Sequence, residues 1–206
     1  MRKFLLILLL FPTTLFASEF QWVEYDTAEK KDIGLDARIK YPVGFSAQEG
    51  RRPHILGKFQ AEIKCNLIQL MLEGHKINFK KTYGISLSKL TKRDLIKFGV
   101  VAQKEFAEEM FSNSKTIANS IIPTKIEGYP AVLFDIAGVG TRAGLSSYNN
   151  INVALILTNT YLISLTCGTG SIVDRKEHVE VMHLAVKKLI CQPYFNSLLL
   201  MDKYRN

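Results

Sequence analysis

The strongest pattern along the chain is an alternation of apolar side chains that begins at Ala131. Val132, Phe134 and Ile136 recur at every second position, the period that sends successive side chains to opposite faces of a strand. This alternation predicts a strand at the centre of the fold.

Two further apolar runs, Asn152 to Thr158 and Tyr161 to Cys167, are separated by only two residues. An even-length turn between them predicts a β-hairpin in which Leu157 lies opposite Leu162. Both faces of this hairpin are apolar, whereas an antiparallel sheet with one wet face alternates more cleanly. We therefore expect helices or loops over both faces.

Two segments have the spacing of amphipathic helices. The first begins after Thr91, which with Asp94 forms a capping pattern, and runs to about Ser112. Its apolar stripe comprises Leu95, Phe98, Ala102, Phe106 and Met110. Gly99 lies in the same band, which predicts a close approach of the helix to a strand.

The second helix is predicted to follow directly after Gly168 to Gly170, where we expect the strand to end. Ser171 and Asp174 repeat the capping pattern, and Gln192 with Pro193 is expected to terminate the helix. Its buried stripe comprises Val179, Met182, Val186, Leu189 and Ile190.

The remaining apolar runs predict shorter strands around this centre. They are Leu35 to Tyr41, Ile55 to Gln60, Leu67 to Leu72, Ile117 to Ile126 and, as a strand or covering turn, Tyr194 to Leu200. The predicted fold is α+β, an antiparallel sheet with helices on its faces in an αβα sandwich. We expect one domain over residues 35–206, preceded by a lead-in segment over 18–34.

Residues 1–17 have the pattern of a secretory signal peptide. Arg2 and Lys3 precede an apolar run from Phe4 to Phe11, and Ala17 supplies a small residue for cleavage. The run is too short to span a membrane, which takes about 20 residues. We therefore expect a protein that is periplasmic or secreted beyond the cell envelope and that does not span the membrane.

The chain is basic, with a formal net charge of +8, which falls to +6 when residues 1–17 are removed. A positive balance favours anionic lipid headgroups, acidic glycans or an acidic protein partner. Nucleic acid is the least expected of these partners for an exported protein. Possible contacts with an anionic partner are Arg51, Arg52, Lys92, Arg93 and Arg142.

Three cysteines in an exported chain allow one internal disulfide. A helix that starts just after Cys167 and runs for nearly 20 residues covers about 25 to 30 Å, which would carry Cys191 away from Cys167. We therefore predict a disulfide between Cys65 and Cys191 with Cys167 free. The alternative is three unpaired, buried thiols.

The histidines do not predict a metal site. Glu180 and His183 have the three-residue spacing of some carboxylate metal sites, but His178 lies about 140° around the helix from His183 and no second motif matches. We interpret both histidines as surface or partly packed residues. His54 and His75 are each interpreted as isolated loop residues.

The segment Gly138 to Gly144 is similar to a phosphate-binding loop, but its glycine spacing is wrong and a strand follows it. We interpret it as a hairpin loop that presents Arg142 near its tip. No serine has a nucleophile-elbow context, and Cys167 has no histidine placed beside it by the sequence. A hydrolase is therefore the least favoured class, and no cofactor is expected.

The order of elements and a few short motifs resemble the PsbP/DcrB superfamily of small α/β sandwich domains. The matching residues are Ile39 to Pro42 followed by Phe45, Glu127 to Ala131, and Tyr161 to Ile163. The resemblance covers about Leu35 to Ile190 and implies a domain that acts chiefly by binding other proteins, with no catalytic residue to carry over.

Together these features predict an exported, non-enzymatic bacterial envelope or secreted domain that binds a protein. The alternative is binding of anionic lipid or glycan through a basic surface.

Overall fold

The fold is taken from a computed structural model, which describes residues 20–27, 34–48, 52–117, 120–142 and 144–200. The predicted signal peptide, residues 1–17, lies outside the described residues, as does Arg51. Within the described ranges, no helix is both long enough and apolar enough to cross a membrane.

The strands up to the long helix are β1 (Trp22–Asp26), β2 (Ala37–Pro42), β3 (Ser46–Gln48), β4 (Ile55–Ile63) and β5 (Asn66–Lys76). The later strands are β6 (Asn113–Thr116), β7 (Ile122–Ile126), β8 (Tyr129–Arg142), β9 (Leu145–Leu157), β10 (Tyr161–Ile172) and β11 (Leu199–Leu200). The helices are α1 (Phe79–Tyr83), α2 (Lys92–Met110), α3 (Lys176–Val186) and α4 (Gln192–Asn196).

The strands form two antiparallel sheets. The larger has the order β3-β4-β5-β10-β9-β8-β6, and β7 also pairs with β8, while the smaller has the order β1-β2-β11. β1 lies within the predicted lead-in segment and forms an edge of the smaller sheet. The predicted hairpin is confirmed, because Leu157 pairs with Leu162 and Ile156 with Ile163.

Both faces of the larger sheet are covered, as the hairpin pattern predicted. One face packs against the small sheet, α3 and α4 through Ala154, Ile156 and Ile163, and we call it the closed face. The opposite face packs against α2 through Phe134 and Leu155. The fold class is therefore α+β, an antiparallel sheet with helices on its faces.

The predicted end of the third central strand was wrong. β10 continues through Gly168 and Gly170 to Ile172, because it is paired on one edge with β9 as far as Ser147 and on the other with β5 as far as Leu67. Ser171 therefore does not cap a helix, and its hydroxyl donates to the Cys65 carbonyl at 2.9 Å.

The predicted disulfide was also wrong. Cys191 is bonded to Cys167, with Cα atoms 5.4 Å apart, and Cys65 is an exposed free cysteine. From Cys167 the strand runs outward for about 17 Å to Ile172, and the helical segment from Lys176 returns over roughly 20 Å. The two displacements nearly cancel, so Cys191 comes back over Cys167.

The prediction that Gln192 and Pro193 terminate the helix was wrong. α3 passes through a π-helical turn, Lys187–Cys191, into α4, and Pro193 lies in the first turn of α4, directly after the π-helical turn. Leu199–Leu200 then pairs with β2 as the predicted final strand.

The glycine-rich segment belongs largely to a strand. Gly138 and Gly140 lie within β8, β9 begins at Leu145, and Gly144 just before it has a φ of 78°. A hairpin is present as predicted, but its loop is shorter than expected. Arg142 is the last residue of β8.

The disulfide gives the first testable prediction. The double substitution Cys167→Ala and Cys191→Ala should lower the free energy of unfolding by about 3 to 4 kcal/mol, because the closed loop spans 24 residues. Denaturant unfolding measures this loss. Cys65→Ser is the matched control and should change stability by less than about 0.5 kcal/mol. A Cys65–Cys191 peptide in a non-reducing digest would contradict the assignment.

Candidate functional site

Helix α2 is fixed at its start by the predicted cap. The Thr91 side chain accepts from the Asp94 backbone N–H, and Asp94 accepts from the Thr91 backbone N–H at 3.1 Å. The hydrogen bonds from Thr91 hold the pKa of Asp94 below its usual value. The beginning of α2 is therefore well defined.

The middle of α2 lies very close to β8, as Gly99 predicted. A Cβ at Gly99 would come within 2.7 Å of side-chain methyl carbons of Ile121 and Val132. Because glycine is the only residue without that carbon, the helix backbone can approach the strand at this point.

Gln103 and Ser120 fill a gap in the sheet below α2. β7 pairs with β8 up to Leu133 and β6 pairs from Ile136, so Asp135 has no strand partner on that edge. The Asp135 backbone N–H donates to Ser120 Oγ at 3.1 Å, and Gln103 Nε2 donates to the Asp135 carbonyl at 2.8 Å. These bonds satisfy the exposed edge and anchor α2 to β8.

Helix α1 is a short element that the sequence patterns did not predict. Asn78 Oδ1 accepts from the Lys81 backbone N–H at 3.0 Å, and Gly84 ends the helix in the left-handed conformation. Phe79 anchors it in a small core with Leu95 and Leu157. α1 therefore stands beside the N-terminal half of α2.

Between α1 and α2 lies an open groove of about 640 Å³, which we call the α2 groove. Its lining is mainly apolar, with one wall of Phe79, Tyr83, Ile85 and Leu90, a second wall of Phe98, Val101 and Phe106, and a floor of Leu155, Leu157 and Leu162. This size and this lining are typical of ligand and peptide sites.

Aromatic contacts hold the walls in place. The Tyr83 ring packs against Phe79 in a tilted arrangement, with ring centroids 4.7 Å apart, and meets the Phe98 ring edge-on at 5.8 Å. Even so, Tyr83 is 42 % exposed and Val101 is 55 % exposed. Burial of Tyr83, together with the nearby Glu105, raises the pKa of its phenol, so the ring is neutral at physiological pH. The groove thus offers apolar surface to solvent.

The predicted anionic contacts are not all in one place. Lys92 and Arg93 are exposed at the start of α2, near the groove. β8 ends at Arg142, beyond the opposite end of α2, where the Met110 carbonyl lies beside Gly140. Arg52 is exposed in the turn before β4. Lys92 and Arg93 are therefore separated from Arg142 by the length of α2.

His54 and His75 are not isolated, contrary to the sequence interpretation. Their rings stack with centroids 4.7 Å apart, and His54 Nε2 lies 3.9 Å from Glu73 Oε1. Burial, followed by the charge of His54, lowers the pKa of His75. Burial, followed by the charge of Glu109, raises the pKa of Glu73. The sequence did not show this pairing, because His54 lies in the turn before β4. A register shift between Ile55 and Gly57 sets how this end of β4 pairs with β5.

A buried polar cluster lies under α3 on the closed face. Lys187 Nζ donates to Asp135 Oδ2 at 2.5 Å, and Asn152 Nδ2 donates to the other carboxylate oxygen at 2.5 Å. His183, one turn before Lys187, places Nδ1 3.3 Å from Thr169 Oγ1 and is 3 % exposed. The residues of this cluster lie on three strands, on α3 and on the π-helical turn that follows it, so no local spacing in the sequence indicated the cluster.

The interpretation of both α3 histidines as surface or partly packed residues holds for His178, which is exposed, but not for His183, which is buried. Within the described ranges, no group of three or more histidine, cysteine, aspartate or glutamate residues is arranged to hold a metal ion.

Sequence comparisons found no matching family model and no matching curated protein. Solved structures are similar in fold. LpqN of Mycobacterium tuberculosis, described as involved in cell envelope biogenesis, is 10 % identical with a TM-score of 0.44, covering 88 % of this chain and 92 % of LpqN. Cyanobacterial PsbP from Synechocystis is 12 % identical with a TM-score of 0.48, covering 87 % and 92 %.

The Ran-binding protein Mog1p of Saccharomyces cerevisiae is 13 % identical with a TM-score of 0.47, covering 89 % of this chain and 97 % of Mog1p. A PsbP is thus among the structures that this chain is similar to. The likeness concerns the fold alone and carries no argument about function.

The environment of His183 gives a prediction for the pH dependence of stability. Burial lowers the pKa of His183 to about 4, with Asp135 opposing and Lys187 adding to the shift. Between pH 6.5 and 4 the unfolded chain binds a proton at this residue that the folded chain does not bind. The free energy of unfolding should therefore fall as the pH falls through this window, by about 2 to 3 kcal/mol from this group.

His183→Asn should remove that part of the pH dependence, which urea unfolding at a series of pH values measures. His178→Asn changes an exposed histidine on the same helix and should leave the slope as it is. An unchanged slope in His183→Asn would show that His183 is protonated in the folded state near its usual pKa.

Proposed function

We propose that this protein is an exported, non-enzymatic domain that binds another protein through the α2 groove. The observation that carries the proposal is the groove itself, in which the half-exposed side chains of Tyr83 and Val101 stand over an apolar floor whose Leu155 and Leu157 are buried. An apolar surface of this kind is stabilised when a partner covers it, because burial removes it from water.

The location rests on two independent features. The first 17 residues have the pattern of a secretory signal peptide. The Cys167–Cys191 disulfide supports an oxidising compartment such as the periplasm or the exterior of the cell.

A binding role also fits the charged groups that line the groove. Asp94 is engaged by Thr91 in the cap of α2, and Lys97 and Glu105 lie on the rim. These groups surround an apolar surface and give orientation and specificity to a partner, in the manner of interfaces with an apolar centre and a polar rim.

The groove gives a prediction with a matched control in the adjacent residue. Val101 lines the groove and is 55 % exposed, whereas Val100 is 52 % exposed and does not line it. Val101→Asp and Val100→Asp should therefore fold with similar stability, but only Val101→Asp places a carboxylate where the partner covers it. We expect that substitution to weaken partner binding at least tenfold, because a buried charge without a counter-charge is costly.

Quantitative cross-linking and affinity capture from the envelope fraction and the culture medium measure this difference. The wild-type protein and Val100→Asp should capture the same partner, and Val101→Asp should lose it, while thermal unfolding confirms that both variants are folded. Absence of a reproducible partner, or capture that is equal in both variants, would contradict the proposal.

A further inference from the structure

The positive charge of this protein is concentrated in one stretch of the chain. Residues 76–97 contain seven basic residues and one acidic residue, a net charge of +6. With residues 1–17 removed as predicted, the rest of the chain contains equal numbers of basic and acidic residues. We call residues 76–97 the basic segment.

The basic segment builds one side of the α2 groove. It contains α1, the turn that follows it and the first part of α2, and its apolar residues Phe79, Tyr83 and Leu90 form a wall of the groove. Its basic residues are all exposed, and Lys97 lines the groove directly. Apolar surface and positive charge therefore come from the same short stretch.

The charge changes sign along α2. Glu105 lines the far end of the groove, and Glu108 and Glu109 are exposed in the following turn. Lys104 pairs with Glu108 at 3.8 Å, which leaves Glu105 and Glu109 as the acidic residues of this end. The exposed lysines of α1 thus flank one end of the groove, whose own lining there carries Asp94 and Lys97, and Glu105 lines the other end.

The floor of the groove restricts the backbone conformation of an occupant. The floor strands β9 and β10 are each paired on both edges within the sheet, so they offer no free edge to an added strand. An occupant therefore cannot be added to the sheet as a strand, whereas an α-helix satisfies its backbone hydrogen bonds internally.

Resting on the function proposed above, we infer that the α2 groove binds an amphipathic helix of the partner protein that presents an apolar stripe to the groove and acidic residues to the basic segment. Opposite charges across the rim fix the orientation and speed the encounter. An anionic membrane is the competing occupant. It presents negative charge uniformly, and Glu105 and Glu109 at the far end would be repelled by it.

Synthetic peptides test this inference directly. The probe is an 18-residue fluorescent peptide with leucines at i, i+3, i+4 and i+7 spacing, glutamates on the polar face of one half and glutamines on that of the other. One control replaces the glutamates by lysines, and a second shuffles the same residues so that the apolar stripe is lost. Fluorescence anisotropy at low ionic strength should show the acidic helix binding at least tenfold more tightly than either control.

Variants of the protein locate the binding site. Val101→Asp should weaken binding of the acidic peptide at least tenfold, and Val100→Asp should change it less than twofold. The double substitution Lys80→Glu and Lys81→Glu should also weaken binding, whereas Lys188→Glu, an exposed lysine on the opposite side of the sheet, should not. Equal binding of the acidic and lysine peptides would overturn the inference.

Vesicles of anionic phospholipid form the last arm of the experiment. The protein should not sediment with these vesicles at low ionic strength. If it does sediment, and Val101→Asp abolishes that sedimentation, the inference is overturned in favour of lipid binding. If the acidic peptide does not bind but Val101→Asp still loses the captured partner, the helix inference fails and the proposed function stands. If neither the peptide nor a captured partner depends on Val101, both fail.

Discussion

The structure depends on one constraint, which is that its three central strands are buried on both faces. β8, β9 and β10 carry apolar side chains toward two separate cores, so neither face tolerates contact with water. Two covers are required, and the rest of the chain supplies them. The small sheet, α3 and α4 cover the closed face, and α1 and α2 cover the other.

The two covers are attached in different ways. On the closed face, Lys187 and Cys191 begin and end the π-helical turn and are tied to Asp135 and Cys167. On the opposite face, α2 packs closely against β8 at Gly99 and is hydrogen-bonded to it through Gln103. The short helix α1 lies on the other side of the groove from α2. Because α1 and α2 cover their face incompletely, the α2 groove remains between them. The closed face therefore serves stability, and the opposite face carries the proposed contact surface.

The sequence predicted what depends on local periodicity. The register of the central hairpin followed from an even turn between two apolar runs, and the cap of α2 followed from its capping pattern. Of the predicted stripe of α2, Leu95 and Ala102 are buried, whereas Met110 is exposed. The close approach at Gly99 followed from the cost of glycine inside a helix.

The features that the sequence did not predict depend on where elements end or on contacts between distant residues. The disulfide was misassigned because Gly168 and Gly170 were interpreted as a strand end, whereas β10 continues through both positions in register with β9 and β5. α1 has only five residues, too few for a periodic signal, and without it the groove could not be expected. The concentration of basic residues in 76–97 was visible in the sequence and is the signal that would have directed attention to this surface.

Partner binding is proposed to occur on the α1 and α2 face, while the closed face stabilises the fold. Amide hydrogen exchange, measured on the protein alone and with the partner recovered by cross-linking, tests this claim most directly. Amide hydrogen exchange should become slower on binding within residues 79–106 and should not change within residues 176–200. Protection confined to residues 176–200, with 79–106 unaffected, would contradict it.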